Sequence, residues 1–107
     1  MIARIWHGAV PAEKADAYAQ YLQATGIPEL QNTSGNKGVY LLRNIENDVA
    51  RFVLISLWES LNSIRAFAGD EIERARYYPE DSDYLLELEP AVAHYAVLTA
   101  PGDLEVP

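Results

Sequence analysis

The chain is 107 residues long and contains no cysteine. That excludes disulfide frameworks, thiol catalysis, iron–sulfur clusters and cysteine-based zinc sites, and it fits a reducing compartment. Histidine is almost as scarce. His7 and His94 have no matched spacing and no carboxylate motif beside them, so no metal is expected. Basic residues are also few: eight Lys and Arg stand against sixteen Asp and Glu, a net charge of −8. Such a chain repels phosphate backbones and acidic headgroups, which argues against nucleic acid and membrane surfaces as partners. No apolar run approaches the roughly 18 residues of a spanning helix. The opening Met1-Ile2-Ala3-Arg4-Ile5-Trp6-His7 lacks the basic start and apolar stretch of a signal peptide, so a cytoplasmic location is expected. Without such a signal the glycosylation-like Asn32-Thr33-Ser34 carries little weight. Missing too are a Gly-rich phosphate loop, a dinucleotide fingerprint and a Ser-centred elbow, and no bound cofactor is expected.

What is present is ordinary globular composition, half apolar and 22% charged, in a length that suits one domain over residues 1–107. Residues 2–10 read as a strand rich in Ile, Trp and Val. Pro11 and Glu13 suit the start of a helix, and Ala15, Tyr18, Ala19 and Leu22 supply its apolar face over residues 12–25. Gly26 should stop it, Pro28 follows, and residues 31–38 have loop composition. Strands at 39–45 and 49–58 flank the hairpin connection Glu46-Asn47-Asp48. Ser60 can cap a helix carrying Ile64, Phe67 and Ala68, which Gly69 breaks. Asp70 and Glu73 resemble a capping box and predict a further short helix to Tyr78, ended by Pro79. Between residues 70 and 90 stand eight carboxylates and two arginines. This stretch reads as a solvated face and an acidic loop, anchored by Tyr84, Leu85, Leu86 and Leu88. Residues 91–100 read as the last strand.

The order β-α-β-β-α-β predicts an α+β, ferredoxin-like split βαβ fold: an antiparallel four-stranded sheet with helices on one face. In the third strand Phe52, Leu54, Ser56 and Trp58 alternate with Val53, Ile55 and Leu57. In the last, Val92, His94, Ala96 and Leu98 alternate with Ala93, Tyr95, Val97 and Thr99. Both faces of the sheet are therefore apolar, and the helices cover one. A homodimer packed sheet against sheet is the expected cover for the other.

Three stretches carry a family resemblance: Ile2–Trp6 running into a Pro-started helix, Phe52-Val53-Leu54-Ile55-Ser56-Leu57-Trp58-Glu59-Ser60, and Val92-Ala93-His94-Tyr95-Ala96-Val97. Together they resemble the antibiotic biosynthesis monooxygenase superfamily of dimeric α+β barrels. That resemblance implies a small-molecule ligand in an aromatic-lined pocket between sheet and helices. It also implies a possible cofactor-independent monooxygenase acting on a phenolic or quinol-like compound. A non-catalytic binding or stress-response module on the same fold is the alternative. The haem-degrading branch carries a first-strand Asn, a Trp on the second helix and a His ten residues later. Aligned on Trp58-Glu59-Ser60, those last two positions hold Phe67 and Tyr77, and the first strand has no Asn. Haem binding is therefore not expected.

Within that frame His7, on the parity of Ala3 and Ile5, is the candidate base for a phenolic proton if that parity faces the helices. Tyr77 is the candidate hydroxyl to hold a substrate oxygen. Trp58, Phe67, Tyr78 and Arg74 are the candidate substrate-binding residues, with one of Tyr77 and Tyr78 turned inward, since helical neighbours lie about 100° apart. Trp6, of opposite parity to His7, is expected at the dimer face. His94 reads as a structural or interface residue.

Overall fold

The computed structural model describes residues 1–102. Strand β1 (Ile2–Pro11) passes through a 3-10 turn, Ala12–Lys14, into α1 (Ala15–Ala24) and α2 (Gly26–Asn32). The hairpin of β2 (Asn36–Glu46) and β3 (Val49–Trp58) follows, then α3 (Leu61–Ala68), the single turn α4 (Asp81–Tyr84) and β4 (Ala93–Ala96). The sheet runs β2-β3-β1-β4 with every neighbour antiparallel, which is the ferredoxin-like α+β order. No helix among the described residues is long and apolar enough to cross a membrane.

Several local expectations hold for local reasons. Glu46 pairs with Val49, so Asn47-Asp48 forms a two-residue turn with Asn47 at φ 54°, a conformation Asn tolerates well. The Ser60 hydroxyl accepts from the Ser63 N–H at 3.2 Å and starts α3. Gly69, at φ 84°, ends it.

Other expectations fail where tertiary partners intervene. Gly26 and Pro28 do not end the helical region but open α2 after a break at Thr25 (φ −121°, ψ −86°). Pro28 lies in the first turn, where its missing N–H costs nothing. The helix expected from Asp70 to Tyr78 does not form. Its backbone groups are taken elsewhere: the Val92 N–H donates to Glu73 O at 2.8 Å and the Ala75 N–H to Pro90 O at 2.9 Å. The Arg4 guanidinium donates to Ile72 O and Arg74 O. Strand β4 is short because Ile2, the first residue of β1, already pairs with Ala96, which leaves later residues almost no partner strand. In the acidic segment Leu85 is buried, but the Leu86 and Leu88 side chains are exposed and are not the anchors expected; Leu86 is held instead through its backbone N–H, which donates to Ala9 O at 2.9 Å.

The inner face of the sheet carries the core. Cross-strand rows run Leu41–Leu54–Trp6 and Val39–Ser56–Arg4–His94. Val10, Tyr18 and Phe52 pack into one cluster and Leu30, Trp58 and Ile64 into a second. The Trp6 indole lies across Gly8, and a Cβ there would clash outright with the ring, so β1 has glycine where the indole passes. This corrects the expected parity. Trp6 is buried on the helix side, not presented to a partner, and His7 is exposed on the opposite face. The outer face stacks Tyr40–Ile55–Ile5–Ala93 beside Gly38–Leu57–Ala3–Tyr95. Among the described residues no helix covers it, and Tyr40, Leu42 and Tyr95 remain about half exposed.

Candidate functional site

Between the inner face and the helices lies a cavity of about 50 Å³. Its floor is Arg4, Trp6, Leu54 and Ser56 from β1 and β3, and α1, α2 and α3 contribute Tyr18, Leu30 and Phe67. The outer wall is Arg76, Tyr77, Tyr78 and Asp81, all from the segment after α3 that contains only the single turn of α4. Because that segment is not helical, Tyr77 and Tyr78 both face the cavity, where a helix would have turned one away.

Each polar group in the wall has a defined partner. The Trp6 indole N–H donates to the Tyr77 hydroxyl at 3.2 Å, and that hydroxyl donates to Glu89 O at 2.6 Å. The Tyr78 hydroxyl donates to Glu29, which also pairs with Arg76 at 2.7 Å. Tyr18 donates to Asp81 Oδ1 at 2.9 Å, and the Tyr78 N–H donates to Oδ2 at 2.6 Å. Burial, reinforced by Asp81, pushes the Tyr18 hydroxyl well above the usual phenol range. Burial and then the bond to Glu29 push Tyr78 up, with Arg76 opposing. Burial also raises Tyr77. These tyrosines are neutral donors at physiological pH and not bases.

Arg4 is the residue sequence reasoning missed. It is 5% exposed, yet its acceptors are two backbone carbonyls and the His94 Nε2 at 3.1 Å. None of the salt bridges found among the described residues involves it. Burial lowers its pKa to about 10, against the opposing field of Glu73, so it is still charged at neutral pH. Arg interrupting the apolar run Ile2-Ala3-Arg4-Ile5-Trp6 was the available signal.

His94 shares this row of the sheet. A guanidinium only donates, so Nε2 accepts and the ring is neutral. Burial and then Arg4 hold the His94 pKa below its usual value, with Glu73 opposing. The unfolded chain therefore binds the proton more readily than the folded one. The stabilisation is complete above about pH 6.5 and is lost as pH falls towards the depressed folded value. Urea unfolding at ~pH 7.5 and ~pH 5.5 should show a lower midpoint in acid. His94→Gln, which keeps an acceptor for Arg4, should show a smaller drop.

The other candidates are not gathered as expected. His7 borders a wider cleft of about 410 Å³ on the outer face with Asn44, Arg51, Glu87 and Glu89. It pairs across the sheet with Val53, while Trp6 pairs with Leu54 of the inner face, so His7 and Tyr77 lie on opposite sides and form no common site. Arg74 turns outward to Glu71 at 3.3 Å, and Arg76 takes the cavity position instead. Trp58 is fully buried behind the cavity and donates to Ser56 Oγ at 2.8 Å. Phe67 lines the wall as expected, with the Arg76 guanidinium 4.8 Å from its ring centre. Among the described residues, no group of three or more His, Asp or Glu could hold a metal ion.

A split βαβ sheet with an aromatic-walled cavity beneath its helices defines a ferredoxin-like α+β protein with a small-molecule pocket. The profile of antibiotic biosynthesis monooxygenases matches residues 1–75, and the chain belongs to that family. Its structure is similar to a putative antibiotic biosynthesis monooxygenase from Nitrosomonas europaea (18% identity, TM-score 0.67, 92% of this chain and 100% of that one). A second, from Bacillus cereus, gives 15% identity and a TM-score of 0.66 over 98% of both chains. The haem degrader MhuD from Mycobacterium tuberculosis, solved with two haems in its active site, gives 20% identity and 0.64 over 95% and 100%. At these identities the likeness is one of fold. No curated protein matches the chain in sequence. The matched region ends before Arg76, so the outer wall of the cavity lies beyond it.

Proposed function

We propose that the protein is a homodimeric oxygenase that takes a phenolic or quinol-like compound into the cavity between sheet and helices. The observation that carries this reading is the aromatic lining of Trp6, Phe67, Tyr77 and Tyr78, in which the Tyr77 hydroxyl, its own proton given to Glu89 O, can accept from a substrate hydroxyl. A few fixed polar groups among aromatic surfaces suit a flat, weakly polar ring. Conversion of a phenol and dioxygen to a quinone and water balances in atoms and electrons without an external reductant. The protein's part is then to orient the ring, favour loss of the phenolic proton and keep water out. His7 has no part in that site.

The dimer reading rests on the outer face. Its apolar rows leave Tyr40, Leu42 and Tyr95 about half exposed, the kind of surface a partner covers, and a second copy related by a two-fold axis presents a matching one. About 1,600 Å² or more of total burial is expected.

One observation favours a second reading, a non-catalytic binding module. The cavity's roughly 50 Å³ holds about three or four waters and not an aromatic ring, so an aromatic ligand requires its lining side chains to shift. Oxygen uptake measured across simple phenols and hydroquinones separates the two. Uptake with quinone formation, weakened in Tyr77→Phe, supports the oxygenase. Saturable binding of the same compounds with no oxygen consumed assigns the module.

A further inference from the structure

Arg4 is the point at which the cavity departs from a neutral phenol pocket. In a chain of net charge −8, Arg4 is the one buried cation among the described residues. The other charges in the cavity wall are matched. Arg76 pairs with Glu29, and Asp81 is taken by Tyr18 and the Tyr78 N–H. Arg4 faces neutral acceptors only, the carbonyls of Ile72 and Arg74 and a neutral His94. A buried cation whose partners are all neutral gains from an anionic oxygen, because opposite charges attract more strongly where water is excluded than across solvent. Arg4 also lines the cavity, its guanidinium 5.9 Å over the centre of the Phe67 ring, so its charge borders the space that a ligand of this cavity would enter.

We propose that the ligand is bound as its phenolate or enolate, with the anionic oxygen held by Arg4. This rests on reading the cavity as the ligand site, and it supplies what His7 does not. The phenolic proton leaves to solvent because the bound anion is stabilised, and no side-chain base is needed. The ionised form is the one that gives up an electron to oxygen readily. The ionisable groups facing Arg4 are His94 from β4 and Glu73 and Arg76 from the outer segment. Across the cavity are Asp81, Tyr18, Tyr77 and Tyr78. Glu73 and Asp81 act against the anion and the two arginines favour it.

The test uses 4-nitrophenol, whose phenolate is yellow and whose ionisation falls near neutral pH, with the non-ionisable 4-nitroanisole as its neutral counterpart. Absorbance titration of 4-nitrophenol with the full-length protein should show the bound molecule ionising about one pH unit or more below the free one. That corresponds to phenolate binding at least about tenfold more tightly than phenol. 4-Nitroanisole should bind about tenfold more weakly or not at all. Arg4→Gln keeps a donor for the carbonyls but removes the charge and should abolish the shift. Arg4→Lys should restore part of it. Because the wild-type comparison of the two probes needs no variant, a failure of Arg4→Gln to fold leaves the test intact. Binding of both probes with equal affinity and no shift in ionisation would overturn the proposal and leave the phenol pocket standing. If neither probe binds, the proposal and the pocket reading fall together.

Discussion

Trp58→Ala is expected to remove about 3–5 kcal/mol of stability, Trp58 being the bulkiest fully buried side chain among the described residues. The indole is fully buried, lies 6.2 Å from the Phe67 ring centre and donates to Ser56 Oγ. Truncation leaves a cavity in the cluster with Leu30 and Ile64 and strips a buried hydroxyl of its donor. The loss is at least about a fifth of the roughly 5–15 kcal/mol typical of a whole domain. Trp58→Phe keeps most of the volume and should cost far less. Urea unfolding at fixed protein concentration, needed because a dimer's stability depends on concentration, measures both. An Ala variant within ~1 kcal/mol of wild type would mean that the second cluster collapses to fill the space.

Leu42→Asp is expected to convert the proposed dimer to a monomer while leaving the subunit folded. Leu42 is 48% exposed within the single chain, so a charge there perturbs the isolated fold little. Across a sheet-to-sheet interface the same charge is desolvated without a partner, at a cost of several kcal/mol per subunit. Sedimentation equilibrium at micromolar concentration should give twice the chain mass for wild type and a single chain mass for the variant. Gln23→Asp, on the exposed side of α1, should remain dimeric. A wild type that sediments as a monomer would leave the apolar rows of the outer face without the cover proposed for them.

Part of the cavity was legible from residue type and strand position. Phe67 stands in its wall on the helix that the Ser60 cap starts, but Tyr77 and Tyr78 both reach it only because the expected helix after Gly69 does not form. Arg4 and Asp81 were not singled out. Each is a charged residue whose burial depends on groups far along the chain. Arg4 is covered by residues 72–94 and Asp81 by Tyr18 from α1. Seen locally, an acidic run predicts a solvated face. Asp81 escapes that rule because a distant tyrosine and its own backbone turn supply donors to both carboxylate oxygens.

The order of the four strands along the chain, helices α1 and α3, the hairpin at Asn47-Asp48, the Ser60 cap and two apolar sheet faces were determined by the sequence alone, because each rests on neighbours within a few residues. Which face meets the helices was not. In β1 one parity holds Ala3, Ile5, His7 and Ala9, and the other Arg4, Trp6, Gly8 and Val10. Alternation favours neither set, and Arg4 argues for the wrong one. The tertiary structure decides it by volume and hydrogen bonding together. The Trp6 indole fits over Gly8 and reaches the Tyr77 hydroxyl, and the Arg4 guanidinium takes up carbonyls that the segment after α3 would otherwise leave unpaired. That choice put His7 on the outer face and moved the candidate site to Arg4.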